Sequence, residues 1–242
     1  MAPRRREETS RLARRPVLLA FCGAVVLATA LIAASLLGGR TSATKAAPEP
    51  QPAPAGRDSL FRNVPQQGIV LGRPDAPVTL VEFADLQCPF CAQWARDAFP
   101  AIVDEYVRNG RVRVVFRGLS FIGPDSEKAL RSALAAAEQD RLWDVVHGLF
   151  VNLGGENDGW VTDDLLHSFA GTGLDTRRML ARTGSSWVEQ QLREARSAAD
   201  AVGVPGTPFF QAGPTGQTLE PLHVSALDAE TFRRELDRLL AA

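Results

Sequence analysis

The chain is poor in the residues that build metal centres and covalent frameworks: among 242 residues there are three cysteines, three histidines, two methionines and one tyrosine. Cys22 falls inside a long apolar run, which leaves the rest of the chain only Cys88 and Cys91 and no set of structural disulfides. A zinc site at that pair would need two more ligands, and neither a second cysteine pair nor a histidine cluster exists. His147, His167 and His223 are scattered without ligand spacing and read as helix surface or core edge. No metal and no cofactor is expected. Lysine is scarce as well, two against 25 arginines, and the formal net charge of −1 argues against a nucleic-acid partner. No internal repeat is present.

The distribution of charge is uneven. Six arginines and two glutamates precede residue 16, whereas 19 basic and 25 acidic residues lie from residue 57 onward. Between them, Pro16 to Leu37 carries no charge for 22 residues, long enough to span a bilayer as a helix. The basic flank predicts that residues 1–15 stay in the cytoplasm, with 16–37 as a single transmembrane anchor. A cleaved signal is the alternative, with small residues near Ala33-Ala34-Ser35 as cleavage candidates and a secreted product. Residues 38–58 are rich in Pro, Ala and Gly and read as an extended linker. Residues 59–242 are then one globular domain on the extracytoplasmic side of the cell membrane.

Within that domain, Val78 to Phe83 is a β-branched, apolar run that reads as a buried strand, and Cys88-Pro89-Phe90-Cys91 opens a helix expected over Pro89 to about Arg108. Two cysteines two residues apart at a strand-to-helix junction are a thioredoxin-type redox signature. The first turn of a helix stabilises a thiolate through its free N–H groups and dipole. Cys88 sits where that effect is largest and where solvent access is expected; Cys91 lies one turn in, within reach of a disulfide. A purely structural bridge over so short a loop would stabilise little.

The remaining order is legible in outline. Gly68 to Leu71 reads as a short edge strand. Asn109-Gly110 ends the cysteine helix, and Arg111 to Arg117 alternates as a strand parallel to the first. A helical region follows, with starts at Pro124, about Leu142, Thr162 and Asp175, then a long helix from about Ser186 to near Gly203. Pro208-Phe209-Phe210 and Leu222-His223-Val224 read as strands around the turn Gly213-Pro214-Thr215-Gly216. Ser225, with Asp228 three residues on, is the expected cap of a last helix to Leu240. The order is βαβ, helical insert, ββα. Trp94, Trp143, Trp160 and Trp187 read as packing residues.

That order, the Asp75-Ala76-Pro77-Val78-Thr79-Leu80-Val81-Glu82-Phe83 strand leading to the cysteines, and Gly203-Val204-Pro205-Gly206-Thr207-Pro208-Phe209-Phe210 resemble the DsbA-like branch of the thioredoxin superfamily across residues 68–242. The resemblance implies an α/β thioredoxin fold with a helical insert at about 119–185. It also implies thiol:disulfide exchange on exported proteins, re-oxidation by a membrane quinone-linked partner, and a monomer. On that basis Cys88 is the attacking sulfur and Cys91 the resolving one. Thr207 before a cis Pro208 would offer backbone hydrogen bonds to substrate, and Phe90 is a further candidate for substrate contact. Glu82 matches the family's buried acid and would exchange a proton with Cys91; an exposed Glu82 on an edge strand is the competing reading. Asp85 reads as a turn or cap residue. Two departures stand out. Phe90 replaces the histidine of strongly oxidising members, and no tryptophan precedes Cys88. A reductase or isomerase with the same chemistry, or a binding domain with a vestigial pair, are the alternatives.

Overall fold

The computed structural model describes residues 60–242. The basic tail, the anchor and the linker expected over 1–58 lie outside the described residues. Among the described residues no helix is long and apolar enough to cross a membrane.

A six-stranded mixed sheet forms the centre. Its strands are β1 (Gln66–Gln67), β2 (Val70–Leu71), β3 (Val78–Asp85), β4 (Val112–Leu119), β5 (Phe209–Pro214) and β6 (Glu220–Pro221), in the spatial order β1-β2-β4-β3-β5-β6. β3 runs parallel to β4 with Val78 opposite Val112, and antiparallel to β5 with Val78 opposite Pro214. All eight residues of β3 are buried, as a strand with neighbours on both edges and helices on both faces should be. Alternation divides them: Leu80 and Ala84 enter the main core, and Val81 and Phe83 enter a smaller cluster with Ala199 on the opposite face.

The main core is aromatic. α1 (Pro89–Asp97) brings Trp94 to within 4.0 Å of Phe232 and 5.1 Å of Phe210, ring centre to ring centre. Phe99 stacks 5.3 Å from Trp143. The cysteine helix does not run unbroken to Arg108. It ends at Ala98, resumes as α2 (Phe99–Ile102), and widens into a π-helical turn over Val103–Val107. Pro100 has no N–H to continue the ladder across the break, which suits a proline to the first turn of a new helix.

The helical insert comprises α3 (Pro124–Ala137), α4 (Leu142–Val151), α5 (Asp163–Ser168) and α6 (Thr176–Ala181). Thr162 and Asp175 cap the last two through their side chains, accepting from Leu165 N–H and Arg178 N–H. α7 (Ser186–Val202) covers the smaller cluster and stops at Gly203, whose φ of +67° suits a left-handed cap. The last helix, α8 (Ala229–Leu240), is capped by Asp228 rather than Ser225: its carboxylate accepts from Thr231 N–H at 2.8 Å. A carboxylate adjacent to the first turn also answers the helix dipole, which a serine three residues upstream cannot do. The sixth strand sits at Glu220–Pro221, two residues before the expected Leu222-His223-Val224, although Leu222 N–H still bonds Phe210 O at 2.9 Å.

Candidate active site

β3 ends at Asp85, and Leu86-Gln87 carries the chain to Cys88, the N-cap of α1, with Pro89 in the first turn. Proline there suits the helix start, where its missing N–H would have no partner anyway. The turn is closed by Cys88 N–H donating to Asp85 O at 2.9 Å. Both cysteines are free thiols.

The two sulfurs occupy different surroundings. Cys88 is 5 % exposed and Cys91 not at all. Cys88 is thus less open than a helix N-terminus suggests, because the Thr207–Pro208 segment lies against it: its thiol donates to Thr207 O at 3.2 Å. The Thr207–Pro208 peptide is cis, and both residues are half-buried just before β5. The Cys88 thiol is lowered to about 6. The largest cause is the hydrogen bond from Cys91; burial opposes it, and the Thr207 side chain and the N–H groups of Cys91 and Phe90 add to it. Cys91 is pushed far up, first by burial, then by its bond to Cys88 and the charge of Glu82.

Glu82 stands in the central strand and is 2 % exposed, so the edge-strand reading fails: β5 covers the flank that would have been open. Alternation puts it on the Leu80–Ala84 face, under α1. Burial raises its carboxyl to about 8, opposed by the indole of Trp94 and assisted by Cys88. Neither Glu82 Oε1 nor Trp94 Nε1 has a hydrogen bond of good geometry among the described residues. A neutral acid in the core beside a buried thiol can hold or release a proton. Phe90, by contrast, is 60 % exposed, and Phe121 is 59 % exposed; both are large apolar side chains left in solvent.

Of the residues singled out by sequence, Cys88, Cys91 and Thr207 meet directly, and Glu82 couples electrostatically to both cysteines. His167 and His223 are exposed, and His147 packs at the core edge with its ring 5.9 Å from that of Phe61. Among the described residues no group of three or more His, Cys, Asp or Glu is placed to hold a metal ion. What sequence reasoning missed is a buried polar network behind Cys88. The Asp85 carboxylate, fully buried, accepts from Gln87 N–H at 2.9 Å, Phe121 N–H at 3.0 Å, Ile122 N–H at 3.1 Å and the Ser126 hydroxyl. Asp85 does serve a turn, yet Gln87, Ser126 and Asn157 carried no spacing that would have linked them.

Comparison with known proteins agrees with this geometry. The family model described as Thioredoxin matches residues 65–226. The probable disulfide bond formation protein D of Bacillus cereus is 30% identical over 188 residues, 76% of this chain and 82% of the relative. Among solved structures, oxidised BdbD from Bacillus subtilis superposes with a TM-score of 0.61 at 23% identity, over 74% of this chain and 98% of that one. Wolbachia pipientis α-DsbA1 gives 0.61 at 20% identity, over 72% and 90%. With a thioredoxin-type sheet, a helical insert and a cysteine pair at the start of α1, the chain belongs to the thioredoxin superfamily, as a DsbA-like thiol:disulfide oxidoreductase.

Proposed function

We infer that the protein is a membrane-tethered oxidase that donates its Cys88–Cys91 disulfide to exported proteins. What carries this reading is the opposed pair of sulfurs: a thiolate-prone Cys88 and a buried Cys91 that resists ionisation. In the oxidised enzyme a substrate thiolate attacks Cys88 Sγ. The Cys88–Cys91 bond breaks, and Cys91 departs with the electron pair and takes a proton, for which neutral Glu82 is the donor in the core. The substrate's second thiolate then attacks its own sulfur in the mixed disulfide and expels Cys88 as a thiolate. The substrate has lost two electrons and the enzyme pair has gained them. A Cys88 lowered to about 6 is a good leaving group at neutral pH, which favours this direction.

Thr207, Pro208 and Phe90 form the substrate-facing side in this reading. The Thr207 carbonyl that now accepts from the Cys88 thiol is a free edge acceptor once the sulfur is bonded to substrate. Residues 16–37 hold the domain at the membrane, a quinone-linked membrane partner takes the electrons from the reduced pair, and the enzyme works as a monomer. The relative's role in disulfide bond formation fits work on the extracytoplasmic side of the membrane.

The test is transfer. The oxidised protein, mixed with a reduced and unfolded model protein that contains a native disulfide, should restore that disulfide with one equivalent of enzyme per bond. Failure to oxidise the substrate, with efficient reduction of an already bridged one instead, would favour the reductase reading.

A further inference from the structure

Gln87 stands directly before Cys88, and its side chain is 1 % exposed and bonded into the helical insert. Its amide is saturated. Nε2 donates to Ser126 Oγ at 2.9 Å and to Asn157 Oδ1 at 3.0 Å; Oε1 accepts from Asn157 N–H at 2.7 Å and from Trp160 Nε1 at 3.4 Å. All three partners belong to the helical insert, 39, 70 and 73 residues further along the chain.

The partners are themselves fixed. Asn157 takes a φ of +56°, a left-handed conformation uncommon outside glycine, and presents both its backbone N–H and its side chain to the same amide. Its Nδ2 donates to Ile122 O at 3.2 Å. A Cβ on Gly123 would fall 2.2 Å from Asn157 Oδ1, so the missing side chain at 123 makes room for the clamp. Ser126 closes the ring by donating to Asp85, whose backbone carbonyl holds Cys88 N–H. Asn157 is thus held in one conformation by several bonds, and it grips the residue that directly precedes Cys88.

We propose that Gln87 is a positioning residue for Cys88, through which the helical insert holds the sulfur at the mouth of α1. The proposal rests on the reading of Cys88 as the exchanging sulfur. The N–H groups of Phe90 and Cys91 and the thiol of Cys91 stabilise the Cys88 thiolate only at hydrogen-bond distance, so drift of the preceding residue weakens all of them together.

The test is a titration of the Cys88 thiolate, by ultraviolet absorbance and by the pH dependence of alkylation, in the full chain reduced beforehand. In Gln87→Ala the pKa should rise from about 6 towards 7, which lowers the thiolate fraction at pH 6 about five-fold. Asn157→Gly keeps the left-handed backbone and the N–H bond to Gln87 but loses the side-chain amide, so its fall should be smaller, about two-fold. A purely structural role would lower the melting temperature of both variants and leave the titration of the folded protein unchanged; that result overturns the proposal. If Gln87→Ala does not fold, Asn157→Gly decides alone. Should wild-type Cys88 itself titrate like a free cysteine, the underlying reading of the sulfur falls instead, before any variant is compared.

Discussion

The thiol of Cys88 lies 3.2 Å from the carbonyl oxygen of Thr207, although 119 residues separate them in the chain. The same residue offers the sulfur two opposed groups. Its carbonyl accepts from the thiol and so favours the protonated form, whereas its side chain stabilises the thiolate. Thr207→Val keeps the shape and the carbonyl and removes the hydroxyl. Cys88 should then titrate higher than in the wild type, seen as slower alkylation at pH 6 with no change above pH 9.

Glu82 sets a pH dependence of stability. Its carboxyl is raised from 4.5 to about 8, so between those values the unfolded chain is ionised while the folded one retains the proton. Stability therefore falls as pH rises through that window, by up to ~1.4 kcal/mol per pH unit, and levels off above it. Glu82→Gln removes this slope. The variant should gain on the wild type in chemical denaturation from pH 5 to pH 8, while its exchange rate at pH 7 falls because Cys91 loses a nearby proton donor. Parallel stability profiles for the two proteins would remove Glu82 from the account.

Phe90 gives a third handle. Its side chain is largely exposed between the cysteines and carries no polar group to offer either sulfur, although its backbone N–H supports the Cys88 thiolate. Phe90→His places an imidazolium beside the thiolate, so Cys88 should titrate below about 6 and the reduced form should become more stable relative to the disulfide. Equilibration with glutathione would show this as a more oxidising enzyme.

Much of this was legible because local chemistry and tertiary demand agree. The β-branched run Val78–Phe83, the Cys-Pro-Phe-Cys helix start, and the caps Thr162 and Asp175 follow from short-range rules, and all appear where those rules put them. The break at Ala98 was missed because the helix was drawn unbroken from Pro89 to about Arg108, across a proline at position 100. The sixth strand was misplaced because two-residue edge strands leave no periodicity to read. The Asp85–Gln87–Asn157–Trp160 network was invisible for another reason: its bonds join residues up to 73 positions apart through polar side chains that obey no repeat.

The N-terminal reading has its own check. Protease added to wall-less cells should digest the domain and leave residues 1–15 protected, with the remnant in the membrane fraction. A trimmed, soluble domain in the medium would establish a cleaved signal in place of the anchor.

The division of labour between Cys88 and Cys91 is the centre of the account, and trapping measures it most directly. Cys91→Ala retains a reactive Cys88 but no resolving sulfur, so mixed disulfides with exported proteins should accumulate on non-reducing gels and vanish with reductant. Cys88→Ala leaves only a buried thiol that resists ionisation and should trap almost nothing. Equal trapping by both variants, or none by a folded Cys91→Ala, would contradict the assignment of Cys88 as the sulfur that meets substrate.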